Sequence, residues 1–174
     1  MTNIRFYTDR LMVRDMTMAD CDIVADSWGS KEVGRYMGDP YYKNGDELRA
    51  MFKEDELLKN KQWDVEFYFV TQDKQTGEIN GTASTWLMDD GIWGIGYTIS
   101  YPWWNQGLAT ELIRGLECFI KSRGGRGMSA EIAKDNTASL KVCNKNGFTK
   151  AQDTRFHKSK TTIVFDALEL RKFI

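Results

Sequence analysis

Between Ile92 and Ile120 the hydrophobic period changes from two to about 3.6 residues, and that change limits what the chain can fold into. From Ile92 to Ser100, Trp93, Ile95, Tyr97 and Ile99 alternate with Gly94, Gly96, Thr98 and Ser100, as in a strand with two unlike faces. Pro102 cannot donate to a sheet ladder and marks the strand's end. Beyond Gly107, Leu108, Ala109, Leu112, Ile113, Leu116, Phe119 and Ile120 fall on one helical face, and Gly124 is placed to stop the helix. The first N–H groups of a helix have no intrahelical partner, and the macrodipole adds positive charge there. The turn therefore either holds an anion, most often phosphate, or merely reverses the chain. Gly107 and Ala109 lack bulk where an anion would approach the backbone.

The rest of the chain surrounds this unit with alternating elements. Arg10 to Arg14 reads as a first strand, Thr17 as the cap of a helix from Met18 to Trp28, and Lys31 to Met37 as a second helical turn before Gly38-Asp39-Pro40. Asn44-Gly45-Asp46 leads into a helix reaching about Lys59. Strands follow over Asp64 to Gln72, Glu78 to Leu87 and Ile92 to Ser100, joined by turns at Lys74–Gly77 and Asp89–Gly91. After the central helix come a strand over Met128 to Ala133, a helix over Thr137 to Lys145, and strands near Phe148 to Arg155 and Thr161 to Leu170. A meander followed by helix-separated strands predicts an α/β mixed, mostly antiparallel sheet with helices on both faces. At 174 residues, 1–174 reads as one domain with a proper core.

Composition excludes several function classes. A formal charge of −1 gives no reason to expect nucleic acid or an acidic membrane surface as partner. No apolar run approaches the roughly 18 residues of a membrane span, and no signal peptide is expected at Met1. Cys21, Cys118 and Cys143 are odd in number and unclustered, so a disulfide framework is not expected and a cytoplasmic protein is. With His157 as the one histidine, no metal site is expected.

Trp104-Asn-Gln-Gly-Leu-Ala-Thr-Glu111, directly after a Gly-Tyr strand, resembles the acetyl-CoA-binding turn of the GNAT superfamily of N-acetyltransferases, and within it the RimJ/RimL-like branch. Thr8-Asp9-Arg10-Leu11-x-Val13-Arg14 is similar to the opening of that branch, and the order of elements matches the GNAT fold over most of the chain. Of the superfamily pattern (Gln/Arg)-x-x-Gly-x-(Gly/Ala), Gly107 and Ala109 are in register, Trp104 replaces the first residue, and Asn105 stands where the branch usually has glycine. The resemblance implies that Asn105, Gln106, Gly107, Leu108, Ala109 and Thr110 hold the diphosphate of acetyl-CoA. It also implies that Thr98 and Ile99 contact the pantetheine arm where the strand splays from its neighbour. Glycines at 94 and 96 fit close approach by a ligand, or a bulky neighbour packing over them.

Asn136 and Gly147 are good caps for the helix between them. The same segment, Asn136-x-x-Ser139 followed by Gly147-Phe148, is similar to the branch's segment beside the acetyl-CoA arm. That implies Asn136 bonds the pantetheine and Ser139 lies near the thioester sulfur. Many relatives place a tyrosine four residues beyond Ser139 as proton donor to the leaving thiolate; here Cys143 stands there, either as a weak acid or as a small buried group. The glutamate that serves many relatives as base, two residues ahead of the Gly-Tyr, is replaced by Gly94. Glu66, Glu131 and Asp135 are the other carboxylates considered, and none is singled out. Tyr36, Met37, Tyr41 and Tyr42 form an aromatic loop that either walls an acceptor site or packs beneath itself. Gly124-Gly-Arg-Gly127 follows a helix and reads as a cap and turn.

The expectation is an N-acetyltransferase that moves the acetyl group of acetyl-CoA to a primary amine, on a small molecule or a protein N-terminus, through a tetrahedral intermediate. Ser139 or Cys143 would assist the leaving thiolate. The alternative is an acyl-CoA-binding module without catalysis, which the missing glutamate and Trp104 would suit. A homodimer is a frequent state for such a chain.

Overall fold

The computed structural model describes residues 3–54, 65–88 and 90–174. Its elements are β1 (Ile4–Tyr7), β2 (Leu11–Asp15), α1 (Cys21–Gly29), α2 (Lys31–Gly34), α3 (Gly45–Glu54), β3 (Glu66–Asp73), β4 (Ile79–Leu87), β5 (Ile92–Ile99), α4 (Leu108–Ser122), β6 (Gly127–Ala133), α5 (Thr137–Lys145), β7 (Thr149–His157) and β8 (Val164–Phe173). The helical expectation for 55–59, and the predicted strand and turn positions Asp64 and Asp89, lie outside the described residues.

One eight-stranded sheet runs in the order β1-β2-β3-β4-β5-β6-β8-β7. Every pairing is antiparallel except β5 with β6, which is parallel because α4 crosses between them. The mixed, mostly antiparallel sheet with helices on both faces is therefore as the periodicities required. The strand expected to be first is second. Ile4–Tyr7 precedes it as an edge strand that two polar-flanked turns of alternation were too short to announce.

On one face, Phe69, Trp93, Ile95, Met128 and Leu170 pack against Leu112, Ile113, Leu116 and Ile120 of α4. Each such side chain removed from water contributes about 1.5–3 kcal/mol. That burial clamps the first turn of α4 at a fixed place beside β5. On the other face, Met16, Tyr68 and Val70 meet Val24, Ala25 and Trp28 of α1 and Leu48 and Phe52 of α3. Thr17 does begin a helix, though through one 3-10 turn at Met18–Asp20, with Asp20 closing a capping box. Asp20 is buried and accepts two bonds from Arg14, at 2.8 and 2.9 Å. Burial alone would raise its carboxyl pKa, but the bonds from Arg14 and Thr17 outweigh that and hold it below the usual value.

Candidate active site

β5 and β6 pair only over Ile92–Gly94 with Gly127–Ser129, although β5 continues to Ile99 and β6 to Ala133. Beyond Gly94 the two strands part. Ser100 N–H donates to Asn80 O, so by the two-residue alternation of an antiparallel ladder Thr98 and Gly96 face β4. The backbone groups of Tyr97 and Ile99 therefore face the gap. An unpaired strand edge in a gap of this kind can accept an extended chain of amides.

The gap leads to the start of α4. Gly107 caps the helix with φ 78°, in the left-handed region, and a Cβ there would touch nothing closer than Arg10 Nη2 at 3.7 Å. Glycine is needed here for its backbone angle, since the space is open. Asn105 is also left-handed, at φ 61°. Asparagine tolerates that angle better than other side-chain-bearing residues, which is why it can stand where glycine is usual. Trp104 donates its indole N–H to Ile99 O at 2.5 Å and meets the Tyr101 ring edge-on. It ties the end of β5 to the turn and leaves the helix N–H groups untouched.

A brace that no local pattern announced comes from the β1–β2 turn. Arg10 Nη1 donates to Gln106 O at 2.8 Å, and Arg10 Nε to Glu111 at 2.7 Å. Glu111 also accepts from Thr8 and from Arg10 N–H. The partners lie about a hundred residues apart in sequence, so only the folded chain brings them together.

A cavity of about 400 Å³ lies along this edge. Thr98 and Ile99 line it from β5; Asn105, Gly107, Leu108, Ala109 and Thr110 line it from the turn; Asn136 and Ser139 line it from α5. Gln106 does not, since its carbonyl is turned to Arg10. Nor does Cys143, which is fully buried behind Tyr97 with Sγ 3.8 Å from the phenol oxygen. Burial pushes the Cys143 thiol up to about 11. Asn136 Oδ1 accepts from Ser139 N–H at 3.2 Å, capping α5, while its amide nitrogen makes no bond to a described residue. Ser139 offers a hydroxyl equally unengaged among the described residues, and its carbonyl accepts weakly from Tyr97 at 3.5 Å.

A second cavity, of about 570 Å³, opens on the sheet face opposite α4 and meets the first at Tyr97, Thr98, Asn136 and Ser139. Tyr36 and Met37 reach both. The two glycines of β5 turn out to serve different neighbours. A Cβ on Gly94 would lie 2.2 Å from Trp86 Cε2, so an indole fills that space; a Cβ on Gly96 would lie 2.8 Å from Ser84 Oγ. The aromatic loop divides too. Tyr42 is buried, tilted on Trp28, and donates to Asp39, whereas Tyr41 presents its ring to Lys158 Nζ at 4.2 Å. Lys158 is buried and donates to the carbonyls of Gly34, Met37 and Asp39, pinning the loop to the β7–β8 hairpin. Desolvation raises the Asp39 carboxyl despite the Tyr42 bond and the Lys158 charge.

The arrangement provides an amide-lined slot and anion-ready helix start on one side, an aromatic chamber on the other, and a throat between them. The family model described as "Acetyltransferase (GNAT) domain" matches residues 10–149. The chain is 27% identical over 162 residues, 91% of this chain and 90% of the relative, to the uncharacterized N-acetyltransferase p20 of Bacillus licheniformis. Among solved structures it is similar to an acetyl transferase of Salmonella typhimurium that modifies the N-terminal serine of ribosomal protein L7/L12 (TM-score 0.80, 17% identity, 99% of each chain). It is also similar to spermidine N-acetyltransferase of Vibrio cholerae bound to CoA and spermine (TM-score 0.77, 16% identity, 94% of this chain and 95% of that one).

Proposed function

Because the chain belongs to the GNAT acetyltransferase family and is an acetyl-CoA-dependent N-acetyltransferase, we propose that it acetylates a primary amine, on a small molecule or a protein N-terminus, by direct attack on the thioester. The observation that carries this reading is the meeting of two cavities at the throat where β5 leaves β6. Acetyl-CoA supplies the activated acyl group. The residues fit it: the N–H groups at Gly107 to Thr110 suit the diphosphate, and the gap-facing backbone of Tyr97 and N–H of Ile99, whose carbonyl Trp104 already engages, suit the pantetheine together with the Asn136 amide, unengaged among the described residues.

The chain's own groups then have separate tasks. The Tyr97 N–H faces the place where the carbonyl oxygen gains charge in the tetrahedral intermediate. The Ser139 hydroxyl can give a hydrogen bond to the departing thiolate without ionising. Cys143 can act only through the Tyr97 hydroxyl that covers it, and both groups hold their protons at neutral pH. Placement beside the RimJ/RimL-like branch rests on the Thr8–Arg14 opening and on Asn136 with Ser139. A single domain over 1–174 and a cytoplasmic location go with the reading, supported by one sheet from Ile4 to Phe173 and three free cysteines.

The test is CoA release from acetyl-CoA in the presence of a broad panel of amines and peptide N-termini. Release above the hydrolysis background with at least one acceptor is expected. Silence with all of them, in protein that binds CoA, overturns the reading.

A further inference from the structure

We propose that the acceptor is a singly charged amine on an apolar, ring-bearing body, and that Glu131 receives its ammonium group in place of the glutamate missing at Gly94. This rests on the acetyl-transfer reading and names the substrate class of the same site.

Three observations on the larger cavity carry it. The first is position. Gly94 pairs with Ser129, so Glu131, two residues further along β6, projects to the same face of the sheet just where the strands have parted. The second is availability. Glu131 lines the cavity, and its carboxylate makes no hydrogen bond or ion pair with any described residue. Of the other two carboxylates named from the sequence, Glu66 accepts from the Tyr68 hydroxyl and lines neither cavity, and Asp135 lines only the smaller one. The place that a residue-94 carboxylate would take is filled by the Trp86 indole.

The third is the character of the wall. Met37, Met51, Tyr68, Trp86 and Phe156 present apolar and ring surface to a space of about 570 Å³, a size that suits a small organic ligand. Among the described lining residues the carboxylates are Asp39 and Glu131 alone, and Asp39 is engaged by Tyr42 and pushed toward its neutral form by burial. A polyamine or an aminoglycoside would bring several charges into a chamber that answers one.

In the step itself, the ammonium gives one proton to the Glu131 carboxylate. The freed nitrogen lone pair forms the C–N bond. As the tetrahedral intermediate collapses the C–S bond breaks, its electron pair leaves on the thiolate, and the second proton of the attacking nitrogen passes to that thiolate, which the Ser139 hydroxyl steadies by a hydrogen bond without ionising. Glu131 returns its proton to solvent after product leaves. The net products are the amide, CoA thiol and one proton.

Steady-state assays with acetyl-CoA should compare phenethylamine, spermidine, an aminoglycoside and a peptide with an N-terminal phenylalanine. Phenethylamine is expected to show kcat/KM at least tenfold above the other three. Glu131→Gln should lower its kcat/KM by about a hundredfold, within the usual range for a lost acid–base group. The acid limb of the pH–rate profile should vanish with it, while CoA binding by calorimetry stays unchanged and Glu131→Asp recovers part of the rate. The profile must be read against Glu169, directly opposite Glu131 on β8 and bonded to Ser129, Gln152 and Arg171, and against the cavity's Asp39, His157 and the phenols of Tyr36, Tyr68 and Tyr97. Trp86→Ala should raise KM for phenethylamine more than it lowers kcat. Preference for spermidine, the aminoglycoside or the peptide, or a Glu131→Gln enzyme within twofold of the parent, overturns this proposal and leaves acetyl transfer standing. Silence with these four while another amine of the broad panel is acetylated overturns this proposal alone; silence across the whole panel, in protein that binds CoA, defeats acetyl transfer and this proposal with it.

Discussion

The indole of Trp86 stands over Gly94, directly opposite it across the β4–β5 ladder, so near that a Cβ on the glycine would meet Cε2 at 2.2 Å. The absence of a side chain at 94 is thus matched by the presence of a large one at 86. Trp86 lines the larger cavity, so the pair fixes the shape of that wall and leaves no room there for a carboxylate at 94.

That contact predicts a non-additive pair of substitutions. Gly94→Ala should cost about 1–3 kcal/mol of stability, the usual range for overpacking, although glycine to alanine at an extended position is otherwise neutral or favourable. In a Trp86→Ala background most of the penalty should disappear. Urea unfolding of the four proteins measures this, and an equal penalty in both backgrounds would disprove the contact.

The turn before α4 predicts opposite responses at two neighbouring left-handed residues. Gly107→Ala should lose about 1–2 kcal/mol because L-residues resist φ near 78°, and CoA affinity should fall with it as the helix start shifts. Asn105→Gly should be tolerated, whereas Asn105→Val should not be, because a β-branched residue at φ 61° is strained. Calorimetric titration with CoA reports both.

The Arg14–Asp20 pair predicts a pH signature. The Asp20 carboxyl is held below its unfolded value near 3.9, so the unfolded chain takes up its proton first as acid is added. The stabilisation is complete above about pH 4 and is lost as pH falls through the lower native value. Asp20→Asn should cost about 3 kcal/mol at neutral pH by leaving the buried Arg14 charge with only the neutral acceptors Gln72 and the Asp15 carbonyl, and should flatten the loss of stability in acid. Denaturant midpoints from pH 7 to pH 3 test both points.

Lys158 predicts a split between the two substrates. Lys158→Met removes the donor shared by the carbonyls of Gly34, Met37 and Asp39; bonds to a charged donor contribute about 1.5–3 kcal/mol each, and because desolvation of the ammonium offsets much of their sum the net cost should be about 3 kcal/mol. Met37 and Asp39 line the larger cavity, proposed to take the amine, so KM for the amine should rise. The turn before α4 is untouched, and CoA affinity should hold. A parallel loss of both affinities would show that the loop's anchoring is not local.

Local chemistry alone determined much of this protein. The period change at Gly107, the proline at 102 and the caps at Asn136 and Gly147 are short-range constraints, so α4 (Leu108–Ser122) and α5 (Thr137–Lys145) lie where the sequence puts them. The anion-ready turn was legible for the same reason. The Trp86–Gly94 contact lay within reach too, because the Gly91 turn sets the register that makes the two residues opposite. What only the tertiary structure decided depends on residues distant in the chain. α4 returns the chain to the start of β5, where Gly127 pairs with Ile92, and the two strands part after Gly94 and Ser129, a geometry that no single segment encodes. The Arg10–Glu111 brace, the Lys158 anchor and the burial of Cys143 behind Tyr97 join partners forty to more than a hundred residues apart. A sequence states which groups each segment carries, but which of them share a cavity is settled when the sheet and its two helical layers pack.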